Sequence, residues 1–431
     1  MKSGGVPMLI SFSLENVYSF REESVLSMRA SAIRAHKYSL IEARGKSYLP
    51  VVAIYGANAS GKSNLLRALQ YMMEAISNPD TASSINQLIF FTLAKNITDM
   101  HPKLKLEFCL DGNLYEYHLT AELDYFIEEE LLCTPPAKNQ PKVLFSRRWD
   151  AAGDRWLLCE SSNPFDKSQD AVLNEIQYVS SMATGQYELL LPALGKRGNI
   201  PIFASIFLWA KRATAYQRPS ASSIGVPSYH KTSEIVQVLS EESKDTEEKQ
   251  AFLRFIQDIN PLIKGTRIGK VPTPGTDNFS LSWIYHSRPT KLKGDSPVNE
   301  LVSLYESRGV YLAADLFPSL YHTLHDGGLL IVDELESSLH PLLMARVINM
   351  FTDPETNPGR GQLVFTTHNA LLMDKKYFRQ DEIVFVEKDE QGCSSLYRLS
   401  DIDGVRSDLD FCKSYICGSF GAIPEWGEPD A

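Results

Sequence analysis

Eight consecutive residues, Gly56-Ala57-Asn58-Ala59-Ser60-Gly61-Lys62-Ser63, hold two glycines, a lysine and a serine at the spacing of a phosphate-binding loop. Glycine lets backbone amides approach phosphate oxygens with no Cβ in the way. A helix opening directly after the loop aims its free N–H groups and its partial positive charge at the same point. In such a loop Lys62 reaches the β- and γ-phosphates and the Ser63 hydroxyl holds magnesium.

Three further stretches could complete that chemistry. Leu329-Leu330-Ile331-Val332 runs straight into Asp333 and Glu334. An acid at such a strand tip suits a magnesium contact, and the next one can polarise an attacking water. His368 follows the apolar run Leu363-Val364-Phe365, where an imidazole can sense a γ-phosphate and orient that water. Ser307 and Gly309 precede an apolar-periodic segment and offer a second anion site at a helix start. Taken singly, each of these three has an ordinary structural explanation: a solvated acidic turn, a structural histidine, an N-cap.

The surrounding pattern supplies the elements that must position them. Residues 9–20 alternate apolar and polar side chains and predict a half-buried strand. Residues 47–77 read as strand, loop and helix, with Asn78-Pro79 ending the helix. Between about 101 and 160 the texture is of hairpins, one pair of alternating runs flanking Asp111-Gly112-Asn113. Residues 165–265 read as mainly helical, with a polar break at 217–230. The last third returns to alternating strand and helix and ends in a hairpin turning at 389–392.

Composition narrows the class. The chain has 431 residues, 43% apolar and 22% charged, and a net charge of −10 that argues against non-specific coating of nucleic acid. Cations at 33–37, 44–46, 146–148 and 211–218 are candidates for a local basic path on DNA. Six scattered cysteines with no Cys-x-x-Cys pair suit free thiols in a reducing compartment. The greasiest run, 200–210, is far shorter than the ~20 residues of a membrane span. A cytoplasmic location is therefore expected, with residues 1–7 an irregular leader and Met8 a second candidate start.

The four motifs, in this order, resemble those of the ABC-type heads of SMC and recombination-repair ATPases, and do not resemble ring-forming AAA+ motors. Ala59 stands where the SMC-like loop usually has glycine, Ser307-Arg308-Gly309 is similar to a reduced signature motif, and 337–341 matches the loop after the acidic pair. The stretches 333–343, 362–374, 381–402 and 415–424 further resemble the RloA-type ATPases of bacterial restriction and phage-defence loci, relatives of the PARIS and Septu ATPase subunits. The resemblance covers 8–100 and 250–425 well and 101–249 in texture only.

That resemblance implies an α/β fold: an ABC/SMC-type P-loop ATPase head with a β-hairpin-rich lobe and a helical insertion. The implied divisions are 8–100 and 266–431 for the two parts of the head, 101–160 for the hairpin lobe and 161–265 for the helical insertion. It implies ATP and Mg2+, a nucleotide-binding set of Gly56, Asn58, Ser60, Gly61, Lys62, Ser63 and Asn64, and metal contacts from Ser63 and Asp333. Catalysis would fall to Lys62, Glu334 and His368, while Ser307 and Gly309 would act across a homodimer or higher homo-oligomer. Gln87 is a weak match to the glutamine that usually follows the first helix.

The expected activity is Mg-dependent ATP hydrolysis in a regulatory subunit of an anti-phage system, controlling a separately encoded effector such as a nuclease, with no membrane partner. Glu387, Asp401 and Asp403 are superficially similar to a Toprim acidic set, but about forty residues follow Glu387, too few for that fold, so hairpin and turn roles are expected. The alternative is an SMC-like ATPase that clamps or repairs DNA directly.

Overall fold

The computed structural model describes residues 7–80, 101–122, 125–165, 170–183, 185–216, 229–230, 233–240, 246–271, 278–286, 298–302, 306–336, 339–406 and 409–424. The chain adopts the expected α/β class and divides into two compact units. The larger comprises residues 1–215, 323–335 and 345–431, and the smaller comprises 216–322 and 336–344.

The larger unit is built on a six-stranded sheet. Its order is Thr214–Tyr216, Leu329–Val332, Gln362–Thr366, Val51–Tyr55, Ile383–Lys388 and Ser394–Arg398. Leu329–Val332, Gln362–Thr366, Val51–Tyr55 and Ile383–Lys388 run parallel, and Ser394–Arg398 returns antiparallel beside Ile383–Lys388. Each residue of Val51–Tyr55, Leu329–Val332 and Gln362–Thr366 is buried, as parallel strands covered on both faces require. The carboxyl ends of three strands therefore share one rim, and each is followed by one of the motifs: phosphate loop, acidic pair and histidine. That rim is where open parallel sheets bind ligands.

A seven-stranded antiparallel sheet forms the hairpin lobe, in the order Arg155–Ser161, Lys142–Asp150, Tyr125–Thr134, Asn113–Glu122, Lys103–Leu110, Met8–Glu15 and Ser24–Ser27. Asp111 and Gly112 turn the expected hairpin with φ of 50° and 77°, the two left-handed residues that match strand twist. Inside this lobe Arg147 and Glu129 form a fully buried ion pair. Glu129 also accepts from Tyr117 Oη and from the backbone N–H groups of Leu190 and Leu191.

Two expectations are corrected here. The strand expected over 9–20 ends at Glu15, because left-handed Asn16 and Tyr18 turn the chain so that Val17 bridges Phe20. Nor is it half-buried: Leu9, Phe12 and Leu14 face the main core while Met8 and Ile10 join a second cluster with Ile41, Tyr48 and Cys109. Gln362 fastens this strand to the central sheet, its Oε1 accepting from Leu9 N–H at 2.7 Å and its amide donating to Leu9 O and Leu49 O at 3.1 Å.

The helix after the phosphate loop, Lys62–Ser77, buries Leu65, Leu66, Leu69, Met72, Met73 and Ile76 and ends at Asn78 as expected. The apolar run 200–210 is the helix Pro201–Lys211, packed into the same core through Phe203, Ile206 and Trp209. The smaller unit carries a sheet of Tyr229–His230, Asn278–His286, Ile263–Val271 and Val298–Val302. In it Trp283 Nε1 donates to Tyr311 Oη at 3.2 Å. Among the described residues no helix is long and apolar enough to cross a membrane. The expectations for residues 1–6, Gln87, 337–338 and most of 217–230 lie outside the described residues.

Candidate functional site

The phosphate loop leaves the central strand at Gly56, whose backbone has φ 154° and presses against the neighbouring strand. A Cβ on Gly56 would sit 2.4 Å from Val386 O, so only glycine fits. Gly61 opens the helix with φ 117° and no side-chain cap, leaving the first-turn N–H groups without an intrahelical partner. Lys62 is buried at 6% exposure and folds back, its Nζ donating to Gly56 O at 2.9 Å and Ala57 O at 2.8 Å. Ser60 Oγ is buried with no hydrogen-bond partner. Orphaned buried hydroxyls are uncommon and point to a ligand. The cradle, the cation and the hydroxyl fit a phosphate group.

Ala59 occupies the loop in the left-handed region at φ 60°, which explains why glycine is usual there. Asn64 turns away from the loop: its Nδ2 donates to Ser19 Oγ at 3.2 Å. Asn58 is exposed and Ser63 half-buried.

Two strands away, Asp333 and Glu334 end the acidic strand. Thr366, at the tip of the intervening strand, organises both. Its Oγ1 donates to Asp333 Oδ1 at 2.6 Å and accepts from Glu334 N–H at 2.7 Å, while its carbonyl accepts from Leu335 N–H at 3.1 Å. Glu334 is exposed and held at φ 52°, a strained conformation for a residue with a long side chain. The bond from Thr366 engages Oδ1 of Asp333. Among the described residues no group of three or more His, Cys, Asp or Glu could hold a metal alone. A magnesium that arrives on a nucleotide brings phosphate and water ligands, so one carboxylate and one hydroxyl suffice.

His368 is exposed two residues beyond the strand Gln362–Thr366. Its turn is fixed by Thr367 N–H donating to Ile54 O at 3.0 Å, and by Asn369, whose N–H reaches Thr367 Oγ1 and whose Oδ1 caps Leu371 N–H. The central sheet thus brings together the loop, the acids and the histidine. Ser307 and Gly309 belong to the smaller unit. There the helix Arg308–Asp326 begins directly after Ser307, whose Oγ accepts from Val310 N–H at 3.4 Å. Gly309 lies within the first turn, not ahead of it.

Thr366, Ser19 and Ser394 were not picked out by sequence reasoning. Two hydroxyls at the strand tip in Thr366-Thr367-His368 were the available signal for the first.

Two of the cations considered for a DNA path are committed elsewhere. Arg147 is fully buried on Glu129 and stacks 4.1 Å over Trp156. Arg44 donates to the carbonyls of Thr134, Pro135, Pro136 and Lys138. Two acids of the Toprim-like set are structural acceptors: Glu387 Oε1 takes Ala422 N–H at 2.6 Å, and Asp401 Oδ2 takes Arg398 N–H at 3.0 Å.

Solved structures with related outlines include an SMC head bound to the C-terminal winged-helix domain of ScpA (12% identity, TM-score 0.39, covering 90% of this chain and 97% of that one). Another is the SMC head domain of Thermotoga maritima (13% identity, TM-score 0.35, covering 90% and 98%). No curated protein matches the sequence. Residues 51–374, from the strand that feeds the phosphate loop to just past the histidine turn, match the family described as "AAA domain, putative AbiEii toxin, Type IV TA system", and the chain belongs to that family.

Proposed function

We propose that this protein is an ATP-binding and ATP-hydrolysing regulatory subunit of a bacterial anti-phage defence system, closing as a homodimer around ATP to control a separately encoded effector. The observation that carries the ATPase part is the juncture at one sheet rim of the glycine-cradled loop and the Thr366-braced acidic pair. Membership in an AAA family linked to toxin–antitoxin systems supports the defence setting.

In this reading the Lys62 ammonium exchanges the Gly56 and Ala57 carbonyls for phosphate oxygens, and the amides of Gly61, Lys62 and Ser63 line the anion. The Ser63 hydroxyl and the Asp333 carboxylate would hold magnesium, which would offset the charge of the phosphates. Glu334 takes a proton from the attacking water, and His368 orients that water against the γ-phosphate. Ser307 and Gly309 of a second copy supply a helix start on the far side of the nucleotide, so turnover needs the dimer. The effector is a partner protein, and the location is cytoplasmic.

Tagged Glu334→Gln protein purified from its native host with and without ATP tests the regulatory reading by mass spectrometry. A stoichiometric partner retained only with ATP is expected. Nuclease-sensitive DNA with no protein partner would favour a DNA-clamping ATPase instead.

A further inference from the structure

The phosphate loop is gripped from outside by residues that lie at the two ends of the chain. Ser394, the first residue of the terminal strand, places its Oγ 2.5 Å from Ser60 O and 2.7 Å from Ser19 Oγ. Its own N–H donates to Ser19 O at 2.6 Å, which locks the terminal hairpin onto the turn at 16–20. Asn64, in the first turn of the helix, closes the set through Nδ2 on Ser19 Oγ. The contact is tight: a Cβ on Gly61 would lie 2.5 Å from Ser394 Oγ and 2.8 Å from Ser19 Oγ. Both serines are buried, at 4% and 7% exposure.

A trans peptide is planar, so its C=O and N–H point in opposite directions. Fixing Ser60 C=O toward Ser394 therefore turns the N–H of Gly61 away from the clasp. We propose that Ser394, backed by Ser19, is a positioning residue for nucleotide binding: it orients the Ser60–Gly61 peptide so that Gly61 N–H is presented to phosphate before the ligand arrives. This rests on the loop being a nucleotide site, and adds that its competence is set by the terminal hairpin and the 16–20 turn. Without the Ser394 hydroxyl the Ser60 carbonyl loses its acceptor role, and the peptide, flanked by a glycine, can flip at little steric cost.

Fluorescent ATP with magnesium is titrated into wild-type, Ser394→Ala, Ser19→Ala and Lys62→Ala proteins, alongside thermal melts and hydrogen exchange of the peptides spanning 56–66. Ser394→Ala is expected to raise Kd about tenfold, the scale of one well-placed hydrogen bond. Faster exchange confined to the loop and a melting temperature close to wild type should accompany it. Ser19→Ala, which keeps the Ser394–Ser60 bond, should raise Kd by less, and it serves as the reporting variant if Ser394→Ala does not fold. Wild-type affinity and unchanged loop exchange in a folded Ser394→Ala, or in Ser19→Ala should that variant alone fold, overturn the proposal while leaving the nucleotide reading intact. Failure of the wild-type protein itself to bind ATP, with Lys62→Ala indistinguishable from it, overturns the nucleotide reading and the proposal with it.

Discussion

Thr366 Oγ1 lies 2.6 Å from Asp333 Oδ1, so the hydroxyl ending one parallel strand holds the acid ending its neighbour. The same oxygen accepts Glu334 N–H, and the same residue's carbonyl accepts Leu335 N–H. One fully buried threonine thus fixes three successive residues of the acidic turn, including a glutamate in strained backbone.

Replacing Thr366 by valine keeps shape and removes both hydroxyl bonds. A misplacement of about 1 Å in a reacting group costs on the order of 100-fold in rate. Steady-state ATPase assays of Thr366→Val are expected to show kcat lowered by that order with KM within a few-fold of wild type. A kcat within twofold of wild type would mean that the acids hold their places without this hydroxyl.

Ala59 offers a prediction of opposite sign. Its φ of 60° costs an L-residue about 1–2 kcal/mol, and its side chain is exposed, so no packing is lost on removing it. Glycine there gives back about 0.4–1 kcal/mol through greater freedom of the unfolded chain. Ala59→Gly should therefore stabilise the protein by up to about 1 kcal/mol in chemical denaturation, with ATP binding retained. A lower denaturation midpoint would contradict this account of the loop.

Glu382 gives the structure a pH dependence. Its carboxyl is buried beside Asp381 and Arg379, with Oε2 accepting Arg379 N–H at 2.8 Å and Oε1 unpartnered. Burial is the main cause that pushes its pKa up to about 8, reinforced by the Asp381 charge and opposed by the Arg379 backbone bond and guanidinium. A carboxyl whose folded pKa lies above its unfolded value binds more protons when folded. Its favourable contribution is full below the unfolded value of 4.5 and is lost as pH rises through about 8. Glu382→Gln cannot ionise, so its stability relative to wild type should rise between pH 6 and pH 9. Denaturant midpoints measured across that range check it, and parallel curves for the two proteins would refute it.

What the sequence disclosed follows from the range over which each constraint acts. The phosphate loop was legible because its demands are local: left-handed glycines at 56 and 61, a lysine and a serine within eight residues. The apolar runs before Asp333 and His368 were legible because strands of a parallel sheet are buried on both faces. The supports were not. Thr366 reaches Asp333 across 33 residues, Ser394 reaches Ser60 across 334, and Gln362 reaches Leu9 across 353. Hydroxyl and amide side chains leave no periodic trace, so such pairings appear only once the sheet order is known. Alternation likewise misjudged the first strand, because nothing local announces that a second cluster of Ile41, Tyr48 and Cys109 covers its other face.

In the proposed cycle ATP joins two copies of this chain, and Glu334 is needed to release them. Sedimentation velocity of Glu334→Gln, with and without saturating Mg-ATP, measures it directly, with the Ser307→Arg/Glu334→Gln double variant run alongside. A monomer that becomes a dimer only with ATP, and a double variant that binds ATP yet stays monomeric, is the predicted result. A Glu334→Gln protein that binds ATP to saturation and remains monomeric would contradict the account.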